Sequence, residues 1–465
     1  MTEPLRAHGP TFEEMLHPDR LPEDIRRRAL RAQEEDPLDP INLFNITWKD
    51  PHGRVRYLVL DRALTGVDAN IVVLYAKDFP TGSHKVAAAY SVAMEKQLLG
   101  EIEPGKHTLV WPSTGNYGIA GAWVGPRLGF DSLVILPELM SRERFELISH
   151  YGASYIKTPG GESSVKEIFD KCKDLVAQDP DRIRVLNQFS EMANYRFHYY
   201  VTGHTVLEAV EELNQRGIGN GRVAAFVSAM GSAGTIAAGD LLKQEFPECR
   251  IVGLEPIQCP TLFCNGYGDH DIQGIGDKHV TWIHNVLNMD ALMCIDDLDC
   301  KKGLQLLTDP AGVRYLSEEA GVDPEHARQL AEVFGISGVC NLLGAIKTVK
   351  FYGFGPRDNV VTVATDNIGR YRSVMADMQR HYGPLDRLRA AVYLETIFHG
   401  VKLDWVQEGT LHNRQRWFNL KYFTWVEQQG KTVEELNAQR DPEWWHVQQE
   451  KVVEFDRLLR EARGF

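Results

Sequence analysis

Residues 71–99 read IVVLYAKDFPTGSHKVAAAYSVAMEKQLL, which is a short apolar run, a polar turn and a good helix-forming stretch. The run from Ile71 to Ala76 carries no charge, as expected for a parallel strand that is buried on both faces. The turn that follows ends at Lys85, where the predicted helix begins. A strand, a polar turn and a helix in this order make one βα unit.

The same order recurs along most of the chain. We predict further strands at residues 108–111, 132–136, 154–157, 222–227, 250–254 and 359–364, and helices at 141–151, 235–246, 323–334 and 337–352. Asp323 and Pro324 are typical of an N-cap and of the first position of a helix. Alternating strands and helices indicate βαβ units, so the sequence predicts an α/β fold with two domains built on open parallel sheets.

The composition is that of a globular protein, since 43% of the 465 residues are hydrophobic and 25% are charged. A chain about three times the usual ~150-residue domain is expected to form more than one folded unit. The net charge of -13 argues against sequence-independent binding of nucleic acid, because a phosphate backbone needs a basic face. The longest uncharged apolar stretch, residues 223–239, contains glycines and serines and predicts a strand and a helix start, not a membrane span.

Seven cysteines without a CxxC pair indicate reduced thiols. The opening residues, MTEPLRAHGPTFEEML, lack the apolar segment of a signal peptide. We therefore expect a cytoplasmic protein. Several Asp and His residues follow one another between Asp269 and His284, but their irregular spacing argues against a metal site.

The C-terminal segment has a different composition. Five of the nine tryptophans fall after residue 372, and the segment is predicted to be wholly helical. Aromatic side chains at this density need burial, either against the rest of the chain or against a second subunit. The five are Trp405, Trp417, Trp425, Trp444 and Trp445.

Four polar turns follow predicted strands, at the sheet edge where open α/β folds bind ligands. They are named here by their characteristic residue: the lysine turn (81–85, TGSHK), the asparagine turn (113–118, STGNYG), the glycine turn (231–235, GSAGT) and the threonine turn (365–367, TDN). Each turn alone has a plain structural explanation, such as a surface lysine, an N-cap or a strand end.

Taken together, the turns indicate one kind of ligand. Lys85 stands at the positive end of a helix, which lowers the pKa of an amine and favours a nucleophilic lysine. The asparagine turn offers hydroxyls, an amide and a helix N-terminus to a carboxylate. The glycine turn offers unhindered N–H groups to a phosphate, although it has neither the Walker nor the GxGxxG spacing. These features fit pyridoxal phosphate and an amino acid better than a nucleotide.

On these residues the sequence resembles the pyridoxal-phosphate enzymes of the tryptophan-synthase-β fold, and most of all their cysteine synthase and cystathionine β-synthase group. The resemblance covers residues 55–375 and includes NQFSEMANYRFHYYVTG at 187–203, HDIQGIG at 270–276 and GISG at 335–338. The histidine before Lys85 is similar to the tryptophan synthase β branch instead. No cysteine precedes Cys172, so the haem site of animal cystathionine β-synthase has no counterpart.

The resemblance implies a role for each turn. Lys85 would form the Schiff base with the cofactor and remove the α-proton of the substrate. The cofactor would be held by Asn116, Gly231, Ser232, Ala233, Gly234 and Thr235, and the substrate by Ser113, Thr114, Gly115, Asn116, Gln188 and Gly274. For the pyridine nitrogen, the strand end points to Thr365, whereas counting back from Arg370 and Tyr371 points to Asn367 or Asp366. We favour Thr365.

The implied activity is that of a lyase or transferase with pyridoxal 5'-phosphate as its cofactor. It would act on a β-substituted L-amino acid of the cysteine, serine or O-acylserine type, eliminate the β-substituent to an aminoacrylate, and then add a nucleophile or release pyruvate and ammonia. The alternatives are a serine or threonine dehydratase-type ammonia-lyase and a non-catalytic regulatory relative. The expected partners are a small amino-acid substrate and other copies of the chain, in a homodimer or a higher homo-oligomer.

The resemblance also divides the chain into four parts. We expect an N-terminal arm at residues 1–50 and a large cofactor-binding domain formed by residues 51–95 and 190–375. Residues 96–189 would form a smaller, mobile α/β domain, and residues 376–465 a helical C-terminal extension.

Overall fold

Two sheets of mainly parallel strands form the centre of the molecule. The computed structural model describes residues 9–113, 115–266 and 268–464. Within these ranges the strands are β1 (Tyr57–Val59), β2 (Asn70–Tyr75), β3 (Thr108–Pro112), β4 (Asp131–Pro137), β5 (Ser154–Thr158), β6 (Ile183–Val185), β7 (Val223–Ala229), β8 (Arg250–Pro256), β9 (Ala291–Ile295), β10 (Asn359–Ala364) and β11 (Val406–Glu408).

Helices cover both sheets and make up most of the C-terminal extension. They are α1 (Phe12–Leu16), α2 (Glu23–Glu35), α3 (Arg62–Thr65), α4 (Lys85–Leu98), α5 (Asn116–Arg127), α6 (Arg142–His150), α7 (Val165–Gln178), α8 (Met192–Phe197), α9 (Gly203–Gln215), α10 (Ala238–Glu245), α11 (Thr261–Cys264), α12 (Asp297–Thr308), α13 (Pro310–Glu318), α14 (Pro324–Val333), α15 (Ile336–Tyr352), α16 (Arg372–Tyr382), α17 (Arg387–Tyr393), α18 (Leu411–Asn419), α19 (Lys421–Trp425), α20 (Val433–Ala438) and α21 (Pro442–Arg463). Short 3-10 turns lie at Pro18–Arg20, Pro40–Asn45, Thr235–Ala237, Val286–Asn288 and Ile368–Arg370, and π turns at His198–Thr202 and Leu394–His399.

The larger sheet has seven strands in the order β1-β2-β10-β7-β8-β9-β11. Its two edge strands run antiparallel to their neighbours and the inner strands run parallel. The smaller sheet has the order β5-β4-β3-β6 and is parallel throughout. The α/β fold with open parallel sheets is therefore confirmed, and the smaller sheet is built entirely from residues 108–185.

Strand order brings the predicted ligand turns together. In the larger sheet β2, β10 and β7 are neighbours, with Val72 opposite Val361 and Val361 opposite Phe226. The lysine, threonine and glycine turns follow these three strands, so they meet at one sheet edge. In the smaller sheet β3 and β6 are neighbours, with Val110 opposite Val185. The asparagine turn and the residues after β6 therefore lie side by side.

Helix α15 packs against one face of the larger sheet. Every residue from Ile336 to Val349 is buried, in keeping with its almost uninterrupted apolar sequence. The helix begins after Gly335, where a Cβ would overlap the carboxylate of Asp366. The backbone at Gly335 thus lies closer to the threonine turn than a residue with a Cβ could.

The C-terminal segment packs against the two-sheet body, and one part of our prediction for it was wrong. It is not wholly helical, because β11 pairs with β9 at the edge of the larger sheet. Trp417, Trp425 and Trp445 are buried, and Trp425 donates its ring N–H to the carbonyl of Val280 at 2.8 Å. The tryptophans therefore serve to attach the segment to the body.

Lys421 reinforces this attachment from inside the interface. Its side chain is fully buried, and its Nζ donates to the carbonyl oxygens of Trp282 at 3.0 Å and His284 at 2.6 Å. A third bond goes to the side-chain oxygen of Gln439 at 2.7 Å. Burial lowers the pKa of Lys421 well below its usual value.

The first and last helices of the described chain are in contact. The carboxylate of Asp456 in α21 accepts hydrogen bonds from the backbone N–H groups of Phe12 at 2.7 Å and Glu13 at 3.0 Å. These N–H groups lie in the first turn of α1, where a helix has no acceptors of its own. The C-terminal helix therefore caps α1.

Two further findings concern a membrane and a metal. No helix in the described ranges combines the length and the hydropathy needed to cross a bilayer. Nor do these residues bring three His, Cys, Asp or Glu side chains together as ligands for a metal ion. In the acidic and histidine-rich run, His270 instead lies with Nε2 2.7 Å from the carbonyl oxygen of Gly276.

Candidate active site

Lys85 lies where the sheet edges converge. It is the first residue of α4, and its Nζ donates to Oγ of Ser232 at 2.7 Å and to Oε1 of Gln188 at 3.1 Å. Burial lowers the pKa of the amine to about 8, and the nearby carboxyl groups of Asp277 and Glu162 oppose that shift. A substantial fraction of this amine is thus neutral near physiological pH, as a nucleophile must be.

The asparagine turn forms the start of α5. Oγ of Ser113 accepts hydrogen bonds from the N–H groups of Gly115 at 2.9 Å and Gly118 at 2.8 Å. A Cβ at Gly115 would overlap the guanidinium of Arg144, so a larger residue here requires the Arg144 side chain to move. Asn116 is the first residue of the helix. Thr114, a predicted substrate contact, lies outside the described residues.

The glycine turn is a tight connection between β7 and the short turn at Thr235–Ala237. A Cβ at Gly234 would overlap Oδ1 of Asn194, and one at Gly231 would come within 3.1 Å of the backbone of Gly274 and Ile275. Ala233 has a φ of 59°, which an alanine rarely adopts. Within the described ranges, the backbone N–H groups of residues 231–234 donate to no protein acceptor.

The threonine turn separates the three candidates for the pyridine nitrogen. Oγ1 of Thr365 lies 2.6 Å from Oγ of Ser337 at the start of α15. Oδ2 of Asp366 accepts from Nδ2 of Asn116 and from the hydroxyl of Tyr371, both at 2.6 Å. Asn367 instead caps the turn that follows, through a 2.9 Å bond from the N–H of Gly369.

Gln188 and Gly274 both lie next to the predicted ligand turns. Gln188 is buried next to Asn194, whose Nδ2 donates to the Gln188 carbonyl at 3.0 Å and to Oγ of Ser232 at 3.1 Å. Gly274 has a φ of 107°, and a Cβ there would lie 3.8 Å from Nδ2 of Asn116. The segment 270–276 therefore passes directly over the asparagine turn.

Sequence reasoning assigned no role to His84, which joins two of the turns. Nδ1 of His84 lies 3.2 Å from the carbonyl oxygen of Thr365, and Nε2 lies 3.1 Å from Oγ1 of Thr235. Burial, aided by the charge of Lys85, lowers the pKa of this imidazole to about 3. The ring is therefore neutral, and since a carbonyl only accepts, Nδ1 carries the proton and the hydroxyl of Thr235 donates to Nε2.

Three more ionisable residues at the site were assigned no role from the sequence. Arg144 is fully buried, and its Nη2 lies 3.3 Å from the hydroxyl of Tyr371. Glu162 and Asp277 are buried and close enough to Lys85 to affect the pKa of its amine. Only the position of Asp277, directly after HDIQGIG, could have drawn attention to it.

These residues fit pyridoxal phosphate. The four N–H groups of residues 231–234 can donate hydrogen bonds to a phosphate, in a turn with little space for side chains at Gly231 and Gly234. Oδ1 of Asn116 and Oδ1 of Asn194 are buried without a hydrogen-bond partner in the described part of the chain, so each can still accept a hydrogen bond from a ligand. Ser337 and Thr365 supply neutral hydroxyls on the far side of the site.

Comparisons with known proteins agree with this arrangement. Residues 62–366 match the family model described as "Pyridoxal-phosphate dependent enzyme". The chain is 31% identical to a cysteine synthase of Staphylococcus aureus (strain Mu50) over 340 residues, which are 73% of this chain and 97% of that protein. It is 30% identical to cystathionine beta-synthase of Saccharomyces cerevisiae over 242 residues, 50% of this chain and 47% of that protein.

Solved structures show the same fold. A hydrogen sulfide-producing enzyme of Fusobacterium nucleatum matches with a TM-score of 0.59 and 25% identity, over 76% of this chain and 95% of that one. Cysteine synthase of Entamoeba histolytica matches with a TM-score of 0.60 and 22% identity, over 74% of this chain and 92% of that one. The chain belongs to the family of pyridoxal-phosphate dependent enzymes, within its cysteine synthase and cystathionine β-synthase group, and pyridoxal 5'-phosphate is its cofactor.

Proposed function

We propose that this enzyme catalyses β-elimination or β-replacement on a β-substituted L-amino acid of the cysteine, serine or O-acylserine type. The observation that carries the proposal is the position of the Lys85 amine. It lies within hydrogen-bond reach of Ser232, in the turn suited to the cofactor's phosphate, and of Gln188, beside the turn suited to the substrate's carboxylate. A proton-transfer group between the two binding turns is what the reaction requires.

The cofactor, when bound, withdraws electrons from the α-carbon of the amino acid and makes its proton acidic. Lys85 would receive that proton on Nζ. A pKa of about 8 suits this task, because the amine can both accept and return a proton near neutral pH. Ser232 and Gln188 would hold the amine in position while it does so.

The asparagine turn would bind the substrate's carboxylate. The start of α5 presents backbone N–H groups and the positive end of a helix, as carboxylate binding favours. The side chains of Ser113, Asn116 and Gln188 and the backbone of Gly115 and Gly274 surround the same place. We propose these residues, together with Thr114, as the substrate site.

The glycine turn and Thr365 would hold the cofactor at its two ends. The backbone of residues 231–235 suits the phosphate. At the pyridine end we propose Thr365, because Oδ2 of Asp366 is bound to Asn116 and Tyr371 and Asn367 caps its own turn. A neutral hydroxyl leaves the pyridine nitrogen largely unprotonated, which suits β-elimination.

The test is a panel of β-substituted L-amino acids offered to the holoenzyme, with products identified by mass spectrometry and the absorbance of the bound cofactor followed during turnover. O-acetylserine, serine, cysteine and threonine separate the expected substrate class from a dehydratase-type ammonia-lyase, which would release a keto acid and ammonia from serine or threonine. A protein that binds the cofactor and converts none of these amino acids would contradict the proposal.

We also propose a homo-oligomer in the cytoplasm. Large apolar side chains are exposed on the C-terminal segment, with Leu411 and Val453 each 75% exposed and Phe423 56% exposed, which supports a further packing partner. All seven cysteines are free thiols, which supports a reducing compartment. Light scattering of the holoenzyme would measure the number of subunits.

The division into domains stays a proposal as well. The separate four-stranded sheet supports a smaller unit at residues 96–189, which would move against the large domain formed by residues 51–95 and 190–375. The N–H and the hydroxyl of Ser373, in the large domain, donate hydrogen bonds to the carboxylate of Glu143, in the smaller unit, at 2.8 and 2.7 Å.

A further inference from the structure

A cleft opens between the two parts of the molecule, next to the asparagine turn. It has a volume of about 570 Å³ and lies between the start of α6, on one side, and the segment 270–276 with α16, on the other. Gln273 lines the cleft, and the next residue, Gly274, passes over Asn116. The cleft therefore leads to the proposed substrate site, and its volume is in the range of pockets that bind small molecules.

Two buried oxygens in the walls of this cleft have no hydrogen-bond partner in the described part of the chain. They are Oγ of Ser141, a residue that is 6% exposed, and Oε1 of Gln273, which is 4% exposed. Buried polar groups in native proteins are nearly always hydrogen-bonded, so these two are expected to contact a ligand or water. Ser141 belongs to the smaller unit and Gln273 to the large domain, so a single ligand would have to extend across the cleft to contact both.

The wall at Ser141 favours a carboxylate. Ser141 is the N-cap of α6, a helix of nine residues, and its side chain makes no capping bond. Its hydroxyl can therefore donate to a ligand, beside the positive end of the helix. Arg142 adds a guanidinium that is 83% exposed and pairs with Glu146 at 2.9 Å. This wall thus presents hydrogen-bond donors and positive charge to the cleft.

The opposite wall favours an ammonium group. Nε2 of Gln273 donates to Oδ1 of Asp271 at 3.1 Å, which leaves Oε1 as an acceptor. Asp271 also pairs with Lys301 at 2.7 Å. Asp377 of α16 lines the cleft and adds a second carboxylate, which pairs with Arg380 of the same helix. Asp377 belongs to the C-terminal extension, which would thus help to select the ligand.

We infer that this cleft binds the second substrate of β-replacement, and that this substrate is a nucleophile with both an ammonium and a carboxylate group, as in a free amino acid. This inference rests on the proposed function. The carboxylate would contact Ser141 and the start of α6, and the ammonium would contact Gln273 and Asp377. Hydrosulfide has a single heavy atom and cannot extend from one wall to the other.

The reaction at this site would join the two substrates. With an amino-acid thiol as nucleophile, the sulfur forms a bond to the β-carbon of the first substrate. The β-substituent leaves with the electron pair of its own bond to that carbon, and the thiol proton passes to the leaving group or to water. The products are a thioether amino acid and the released β-substituent.

A matched set of thiols tests the need for both charged groups. L-Homocysteine carries both and has its thiol on the γ-carbon, so it is not itself a β-substituted substrate. 3-Mercaptopropylamine lacks the carboxylate, 4-mercaptobutyrate lacks the ammonium, and 1-propanethiol lacks both. Each is offered to the holoenzyme with the first substrate that the panel of β-substituted amino acids identifies, and thioether products are measured by mass spectrometry.

We expect kcat/KM for L-homocysteine to be at least about tenfold above that of each other thiol, because two charge-assisted contacts are lost or halved in the others. Each rate is divided by the fraction of thiolate at the assay pH, since the thiols differ in acidity. An equal or higher value for any of the three other thiols would overturn the inference.

Two variants divide the site by charge. Ser141→Ala should lower kcat/KM about fivefold for L-homocysteine and 4-mercaptobutyrate, and little for 3-mercaptopropylamine. Asp377→Asn should lower it for L-homocysteine and 3-mercaptopropylamine, and little for 4-mercaptobutyrate. Asp170→Asn is the control, because its carboxylate is 52% exposed, as that of Asp377 is, but lies in α7. Unchanged values in both variants, the same loss for every thiol, or an equal loss in the control would contradict the inference.

Release of the β-substituent, measured in the same reactions, separates this inference from the proposed function. If the β-substituent is released but the four thiols react alike or form no thioether, the second-substrate site fails and the proposed function stands. If no amino acid of the panel is converted, the proposed function fails and the inference fails with it.

Discussion

Nε2 of His84 lies 3.1 Å from Oγ1 of Thr235, so the residue before the proposed catalytic lysine is joined to the turn that suits the cofactor's phosphate. The other ring nitrogen lies 3.2 Å from the carbonyl of Thr365, at the pyridine end of the site. One neutral imidazole thus spans the two ends of the proposed cofactor site. The hydroxyl proton of Thr235 points to the ring, and its backbone N–H donates to no acceptor within the described ranges.

Replacing Thr235 by valine is expected to lower both the stability of the protein and its affinity for the cofactor. The change leaves Nε2 of a fully buried imidazole without a donor, which costs about 1–3 kcal/mol of unfolding free energy. Serine at the same position keeps the hydroxyl and should restore most of this loss. Chemical denaturation of both variants checks the prediction, and equal stability of the valine and serine variants would contradict it.

Lys85→Ala is expected to abolish covalent attachment of the cofactor and to lower turnover at least about a thousandfold, with the fold retained. Borohydride reduction followed by peptide mass analysis should place a pyridoxyl group on Lys85 of native enzyme. Lys166→Ala, which removes an exposed lysine, serves as the control. A pyridoxyl group on any other lysine would exclude this assignment.

Gly231→Asp is expected to lower the affinity for the cofactor strongly and to have a much smaller effect on the free energy of unfolding. A carboxylate among the free N–H groups would repel the phosphate, while its Cβ meets the backbone of Gly274 and Ile275 at 3.1 Å, a tight contact. Gly231→Ala has the same contact without the charge and is the matched control. Gly234 is the poorer position for this test, because any Cβ there overlaps Asn194. Cofactor titration showing equal affinity in the two Gly231 variants would move the phosphate elsewhere.

The pKa of Lys85 predicts how stability depends on pH in the cofactor-free protein. The native amine has a pKa of about 8, whereas the ordinary value of 10.5 applies to the unfolded chain. Between these values the unfolded chain binds the proton that the native protein has released, so unfolding free energy should rise as pH increases from 8 to 10.5. Lys85→Met should lack this rise. Parallel slopes for the two proteins would show that the amine is not perturbed.

Trp425→Ala is expected to lower the unfolding free energy by about 3–5 kcal/mol, the usual range for emptying a buried aromatic site. Its ring is 2% exposed and lies against Trp282, Phe169 and His279. Trp405→Ala is the comparison, because that ring is 36% exposed. Similar losses in the two variants would show that burial of Trp425 contributes little.

The sequence predicts the centre of this fold well and its edges poorly. β2, β7 and β10 are mostly apolar and carry no charged residue, which identifies buried parallel strands without any tertiary information. β11 has no such pattern, since Val406–Glu408 is a strand only because the exposed edge of β9 pairs with it. The prediction also missed β1 and β6, which are equally short, and β9, an apolar inner strand next to β11.

The residues of the site, like the strands, could be predicted only in part. Its turns could be predicted because each carries its chemistry in consecutive residues and strand order brings them together. Glu162 could not, because the loop GGESS has no feature that indicates the distance to Lys85. Contacts of this kind depend on how the two sheets pack, and a single sequence does not state that.

The bonds from Phe12 and Glu13 to Asp456 have a consequence for the order in which the molecule is assembled during synthesis. The ribosome makes α1 before Asp456, and the strands of both sheets lie between them in the sequence. While both sheets form, the N–H groups of Phe12 and Glu13 therefore lack this acceptor. A product of synthesis that stops before Asp456 would therefore lack these two hydrogen bonds at α1, more than 440 residues away in the sequence.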